Sequence, residues 1–122
     1  MTKRKPFAPC PAQYLLALHD TLNVISGKWK LYIIGAIVSG SKRFKEIERS
    51  IPNINPRMLS KELKELEING IITRKVHSTA PVVIEYEVTA SGQSIKNVLD
   101  VMVEWGLEHR KNVLGDTVSI AS

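Results

Sequence analysis

Residues 53–74 read NINPRMLSKELKELEINGIITR, and this stretch decides the fold because it specifies one capped helix and the strand after it. Asn55 is a preferred N-cap residue, and Pro56 suits the first position of a helix. Gly70 suits the left-handed conformation that commonly ends one. We therefore predict a helix over about residues 56–69.

The two faces of this helix differ in chemistry when about 100° is advanced per residue. One face is a narrow apolar stripe that consists of Leu59, Leu63 and Leu66. The opposite face is basic and consists of Arg57, Ser60, Lys61 and Lys64. Three glutamates flank the basic face without lying on it: Glu62, Glu65 and Glu67. The stripe indicates a packed helix, while the basic face indicates either a solvated surface or a polyanionic partner.

The predicted elements on either side of this helix help to decide between a solvated surface and a polyanionic partner. Apolar spacings of three and four predict helices before and after it, and a period of two predicts a hairpin. The predicted elements are helices over about 11–26, 28–38, 44–50, 56–69 and 90–111 and strands over 72–77 and 83–88. Pro52 ends the third helix, so a short helix and a turn precede the basic one. The order indicates a mostly helical α+β fold, a winged helix-turn-helix.

DNA binding explains the basic face better than solvation does. The basic face includes the first turns of its helix, which is where a helix in the major groove presents side chains to bases. The hairpin that follows carries Arg74, Lys75 and His77, placed to reach a neighbouring phosphate or the minor groove. A winged helix that binds protein instead should lack such a stripe, and a steep salt dependence of DNA affinity separates the two readings.

Composition agrees with a partner of negative charge. The chain has 122 residues, 43% of them hydrophobic, and a formal charge of +5, which fits one folded domain that favours nucleic acid. We expect a domain over 11–114, with a flexible arm over 1–10 and a flexible tail over 115–122. No apolar run approaches the roughly 20 residues that cross a bilayer. One cysteine fits a reducing cytosol, so a cytoplasmic location is expected.

Several motifs together resemble a known family. SGKWKLYIIGAI, RFKEIERSIPNINPRMLSKELKELEINGIITRKV, PVVIEYEVTASGQSI and VEWG occur in this order. They resemble the HxlR-type winged helix-turn-helix regulators, which are bacterial relatives of the MarR family, over roughly residues 20–110. The resemblance implies a homodimeric cytoplasmic transcription factor that binds double-stranded DNA at a pseudo-palindromic operator. It also implies that extra N- and C-terminal helices form much of the dimer interface.

The resemblance carries DNA contacts onto two elements of this chain. On or near the recognition helix, about 56–69, lie Pro56, Arg57, Met58, Ser60, Lys61 and Lys64. In the wing, about 72–88, lie Arg74, Lys75 and His77. At the entry of the preceding helix, the backbone-contact candidates are Lys42, Arg43 and Lys45. Arg57 can pair with guanine or clamp a phosphate, and the sequence leaves both open; the two lysines of the recognition helix suit phosphates.

The terminal helices carry the expected dimer interface. On the first helix its residues are Tyr14, Leu15, Leu18 and Leu22; on the last they are Val98, Leu99, Met102 and Trp105. The competing interpretation is that these side chains pack within one monomer. An alternative function is a small-molecule-responsive regulator without redox sensing. Its pocket would lie between the dimer helices and would be lined by Tyr14, Trp29, Tyr32 and Trp105. The favoured interpretation is that these aromatic side chains pack in the core. The effector itself stays unknown.

Cys10 is a candidate redox sensor. Family members sense oxidants or electrophiles through a cysteine in a Cys-Pro pair near the N-terminus, and Cys10-Pro11 resembles that pair. Nearby basic residues and the following helix start lower a thiol pKa. The pair lies further from Gly27-Lys28-Trp29 than the family pattern has it. This departure favours an unreactive cysteine in the arm.

Catalysis and metal binding find no support in the sequence. His19, His77 and His109 are scattered, and no nucleophile has a base at a recognisable spacing. Cys10 and His19 are the only soft ligands close in sequence, and one helix cannot complete four zinc ligands from them. We expect no enzyme activity, no metal site and no cofactor.

Overall fold

A computed structural model describes residues 11–115, so Cys10, the predicted arm and nearly all of the predicted tail lie outside the described residues. The elements, in chain order, are α1 Pro11–Ile25, α2 Lys30–Val38, α3 Phe44–Ser50, α4 Pro56–Ile68, β1 Ile72–His77, β2 Val83–Val88 and α5 Ala90–Leu114. The predicted class is confirmed: this part of the chain is mostly helical, with one two-stranded antiparallel sheet. A short helix, a turn, a longer helix and a hairpin follow one another as predicted.

Two helix bounds differ from the sequence prediction by more than one residue. α2 begins at Lys30 instead of Lys28, because Gly27 has a φ of 100° and Trp29 takes the N-cap position. α5 continues to Leu114, beyond the predicted end at Lys111. Neither difference changes the order of the elements.

The helix α4 is capped at both ends as the sequence predicts. The side chain of Asn55 accepts a hydrogen bond of 2.8 Å from the backbone N–H of Met58, and Pro56 occupies the first turn. Gly70 follows the helix with a φ of 74°, in the left-handed region where glycine has no steric penalty. These local signals fix where α4 begins and where the chain turns into β1.

The core lies between α2, α3 and α4 and is closed by the base of the hairpin. Leu59, Leu63 and Leu66 of α4 are at most 2% exposed, which confirms the apolar stripe. Burying one such leucine contributes about 2 kcal/mol relative to leaving it exposed. The other buried apolar residues are Ile33, Ile34, Ile37, Ile47, Ile51, Ile54, Ile71, Ile72 and Tyr86. The basic face of α4 therefore points away from the core.

The hairpin is held against the helices by backbone hydrogen bonds. Its register pairs Ile72 with Val88 at the base and His77 with Val83 near the tip. The N–H of Tyr86 donates to the carbonyl of Lys42 over 2.8 Å, which joins β2 to the segment before α3. The wing is thereby placed beside the recognition helix.

The terminal helices are much more exposed than a monomer core requires. α1 has no buried residue, and the exposed apolar side chains concentrate on α1 and α5. The prediction that the four candidate pocket aromatics pack in the core is wrong for Tyr14, Tyr32 and Trp105, which are 51%, 60% and 66% exposed. Trp29 is half-buried and packs against the core. Over residues 11–115, no helix is long and apolar enough to cross a membrane.

Candidate nucleic-acid interface

The basic face of α4 is open to solvent. Its members Arg57, Ser60, Lys61 and Lys64 are all exposed. Within residues 11–115, none of its three cations has a carboxylate oxygen within 4.0 Å. Pro56 is exposed at the start of the helix, whereas Met58 is half-buried and packs against the core. Three cations are thus available to an anionic partner.

The segment before α3 is fixed by one carboxylate. A single oxygen of Glu46 accepts hydrogen bonds from the backbone N–H groups of Lys42 and Arg43, at 2.9 and 3.1 Å. These bonds, together with nearby arginine charges, hold the pKa of Glu46 below its ordinary value. The side chains of Lys42, Arg43 and Lys45 remain exposed, and Lys45 lies 3.6 Å from Glu48. The segment before α3 therefore presents Lys42 and Arg43, and the first turn of α3 presents Lys45.

Two of the three predicted DNA-contact residues of the wing have carboxylate partners on the neighbouring strand. Lys75 lies 3.1 Å from Glu87, and His77 lies 3.0 Å from Glu85. Arg43, from the segment before α3, lies 4.0 Å from the same Glu85. These contacts reduce the charge that one face of the wing can offer to a phosphate.

Arg74 differs from its neighbours in the wing. It is opposite Tyr86 in the register, exposed, and without a carboxylate within 4.0 Å in the described part of the chain. Arg74 and Tyr86 line a cleft of about 280 Å³ together with Ser60, Lys64 and Glu67 of α4. The fold thus brings Lys64 and Arg74 to the junction of helix and wing.

The sequence did not predict the role of Glu62. This residue is 8% exposed and forms an ion pair of 2.6 Å with Lys30 of α2, which is 7% exposed. A second carboxylate, that of Glu65, lies 2.7 Å from the same ammonium group. Rotation by about 100° per residue places Glu62 only about 60° from Leu59, closer to the apolar stripe than to the basic face. This position is the feature of the sequence that could have indicated the burial of Glu62.

The charges of this cluster stabilise one another. Burial lowers the pKa of Lys30, but hydrogen bonds to Glu62 and Glu65 outweigh it, so the pKa lies above its ordinary value. The hydrogen bond from Lys30 lowers the pKa of Glu65, and the charge of Lys61 lowers it further. Lys30 and Glu65 are therefore both charged at neutral pH.

The remaining candidates are the possible metal ligands, the histidines and the residues of the expected dimer interface. Over residues 11–115, no group of three or more His, Cys, Asp or Glu side chains could hold a metal ion. His109 stacks on Trp105 at 4.7 Å between ring centroids, and His19 lies 3.2 Å from Asn23. Of the residues expected in the dimer interface, only Leu99 is half-buried, and the others are exposed in the monomer.

A short helix, a turn, a helix with an exposed cationic face and a two-stranded wing define a winged helix-turn-helix DNA-binding protein. The family model described as "HxlR-like helix-turn-helix" matches residues 24–113, so the chain belongs to the HxlR family of transcriptional regulators. The resemblance found in the sequence is thereby confirmed.

Comparisons with individual proteins agree. The chain is 41% identical over 108 residues to the HTH-type transcriptional regulator YtcD of Bacillus subtilis, covering 88% of this chain and 86% of that one. The reduced form of the redox regulator HypR superposes with a TM-score of 0.72 at 40% identity, over 80% of this chain and 96% of that one. A MarR-family regulator from Enterococcus faecalis V583 gives a TM-score of 0.74 at 27% identity, over 85% and 94%.

Proposed function

We propose that this regulator acts in the bacterial cytoplasm as a homodimer that binds a pseudo-palindromic operator. α4 of each subunit enters the major groove, and the wing contacts the backbone or the minor groove. The observation that carries this proposal is the exposed set of Arg57, Lys61 and Lys64, which lies opposite the buried leucines of the same helix. Cations in this position neutralise phosphates and read base edges.

The exposed apolar side chains of α1 and α5 support the dimer. Leu15, Leu18 and Leu22 on α1 and Met102 and Trp105 on α5 are 46% to 66% exposed. Exposed apolar side chains that form a large patch mark an interaction site. A second copy would cover it and would place a second recognition helix about one turn of DNA away, which specific affinity commonly requires.

The proposed DNA contacts can be ranked by whether each side chain already has a carboxylate partner in the protein. Arg57 pairs with guanine or a phosphate, while Lys61 and Lys64 neutralise phosphates. Among the candidate residues of the wing Arg74 ranks first, because Lys75 and His77 already contact glutamates. Ser60 can hydrogen-bond to a base or a phosphate, and Pro56 and Met58 lie on or near the same face of the recognition helix. The candidates for contact with the DNA backbone are Lys42, Arg43 and Lys45.

Selection of bound sequences from a random DNA pool tests this proposal. We expect one enriched site with two inverted halves, and an affinity that falls steeply with added salt. An enriched site without symmetry, or sedimentation as a monomer at micromolar concentration with and without DNA, would contradict the dimer. Affinity that does not depend on salt would favour a protein-binding winged helix instead.

Redox control is the first candidate for the signal, and similarity to the redox regulator HypR supports it. With one cysteine in the chain, oxidation of Cys10 would join two subunits or attach a small thiol. In the first case two thiols lose two electrons and two protons to an added oxidant such as diamide. We expect diamide to release DNA from the wild type and not from Cys10→Ser. Equal release from both would end the redox hypothesis.

A small-molecule signal is the second candidate, because a cavity of about 600 Å³ lies between α2 and α5. Its lining is largely apolar and includes Tyr32, but not the other three aromatics that the sequence suggested. A Cβ added at Gly35, also in the lining, would meet nothing within 4 Å. Gly35→Leu would therefore fill the cavity, and a compound that raises the Tm of the wild type should lose this effect in the variant.

A further inference from the structure

Lys30 is a buried cation that joins two elements of the DNA-binding domain. Its side chain is 9% exposed, and its ammonium group donates hydrogen bonds to Glu62 over 2.6 Å and to Glu65 over 2.7 Å. A buried charge is costly unless it is paired, and removing one partner leaves the other uncompensated. A contact of this kind can instead fix one arrangement of the elements that it joins.

The three charges connect α2 directly to the recognition helix α4. The side chain of Glu62 is 10% exposed and turns toward the core, while that of Glu65 is 40% exposed at the border of the basic face. Glu65 stands four residues after Lys61, a spacing at which side chains on a helix meet. The charge of Lys61 already lowers the pKa of Glu65.

A cleft interrupts the packing beside the first turns of α4. A cleft of about 450 Å³ is lined by Trp29, the N-cap residue of α2, and by Asn55, Arg57, Met58, Lys61 and Glu62 around the start of α4. Side chains on opposite sides of this cleft lack close contacts with one another, whereas the leucines of α4 pack in the core on its other side. The ion pair of Lys30 with Glu62 borders this cleft and bridges the two helices.

We propose that Lys30 is a positioning residue of the DNA interface: it fixes the recognition helix against α2 and holds Glu65 away from Lys61, so that Lys61 stays free for a DNA phosphate. This inference rests on the proposed binding of DNA by the basic face. Without Lys30, Glu65 turns to Lys61, and the helix loses one available cation although no DNA-facing residue has changed.

The test compares two variants that differ only in the charge of Glu65. Lys30→Met with Glu62→Gln removes the buried pair and leaves Glu65 charged. Adding Glu65→Gln gives a neutral triple variant of nearly the same shape. Affinity for a non-specific duplex is measured from about 50 to 200 mM salt, where each neutralised phosphate contributes roughly one unit to the salt slope. Circular dichroism confirms that both variants fold, and if the double variant does not, Lys30→Gln with intact glutamates takes its place.

We expect the double variant to lose about one unit of salt slope and the triple variant to regain it. In a Lys61→Ala background the two variants should have equal salt slopes, because Glu65 then has no Lys61 ammonium group to pair with. A double variant with the wild-type slope would overturn the proposal, as would a difference that persists without Lys61. A wild type that does not bind DNA at all would instead overturn the proposed function, before any variant is compared.

Discussion

Gly92 lies against the backbone of Ile71 so closely that a Cβ built on the glycine would stand 2.2 Å from the Ile71 carbonyl oxygen. The same oxygen accepts a hydrogen bond of 3.0 Å from the N–H of Thr89. The hydroxyl of Thr89 donates to the carbonyl of Gly70 over 2.7 Å and accepts from the N–H of Gly92 over 3.1 Å. The start of α5 is thus fixed to the joint between recognition helix and wing.

Gly92→Ala should therefore destabilise the protein, because the added methyl group meets backbone that cannot move away cheaply. Overpacking of this kind typically costs about 1–3 kcal/mol. Gly35→Ala is the matched control, since a Cβ there meets nothing within 4 Å and alanine is favoured in a helix. Urea unfolding at one fixed protein concentration measures both, and an unchanged midpoint for Gly92→Ala would contradict the close approach.

Loss of the cap of the recognition helix should lower stability without changing charge. Asn55→Ala removes the side chain that accepts the N–H of Met58, and the expected cost is about 1 kcal/mol. Asn55→Ser is the control, because serine is also a preferred N-cap residue. Thermal unfolding should rank the wild type and the serine variant above the alanine variant. Equal Tm values for all three would show that the cap contributes nothing.

Acid should weaken the contact between α2 and α4. The pKa of Glu65 is lowered in the folded state by the hydrogen bond from Lys30, so its contribution is present above the ordinary value of 4.5. That contribution is lost as pH falls through the lower folded pKa. The pKa of Lys30 is raised, so its contribution is present below 10.5 and is lost at still higher pH.

Unfolding of the wild type and of Glu65→Gln at a series of pH values measures this effect. The wild type should be more stable at pH 7, and the difference should shrink as pH falls below about 4.5. Glu46→Gln serves as the comparison, since the lowered pKa of Glu46 arises mainly from backbone hydrogen bonds of the segment before α3. A difference between wild type and Glu65→Gln that is the same at pH 7 and pH 3 would exclude the ion pair as its cause.

The sequence predicts the parts of this structure that local chemistry determines. Asn55, Pro56 and Gly70 set the ends of α4, and the spacing of its leucines sets the buried face. The pairing of Lys30 with Glu62 joins residues 32 positions apart, so it depends on how α2 packs on α4 and no local pattern reveals it. The 66% exposure of Trp105 likewise depends on how α5 packs against the other elements, which no local pattern reveals.

The positively charged residues of the recognition helix should differ in what they contribute to binding. Arg57 lies in the first turn of α4, where base edges are within reach, whereas Lys64 lies two turns further on beside the cleft of the wing. Arg57→Ala should weaken binding to a selected operator more than to a random duplex, by about 1–3 kcal/mol in discrimination. Lys64→Ala should weaken both about equally and reduce the salt slope by roughly one unit.

Gel-shift titrations of both variants on both duplexes measure this difference. Ser60→Ala is a control on the same face that changes no charge, and its salt slope should match that of the wild type. If Arg57, Lys61 and Lys64 could all be replaced without loss of binding, α4 would not be the recognition helix.

The two neighbouring cations of the wing should differ sharply, because only one of them is already paired. Lys75 lies 3.1 Å from Glu87, while Arg74 has no carboxylate within 4.0 Å in residues 11–115 and lines the cleft beside Lys64. Arg74→Met should lower the salt slope by roughly one unit. The double variant Lys75→Met with Glu87→Gln removes a neutral pair and should leave the slope unchanged. A larger loss of salt slope in the double variant than in Arg74→Met would show that the wing turns its other face to DNA. In that case a phosphate would replace Glu87 as the partner of Lys75.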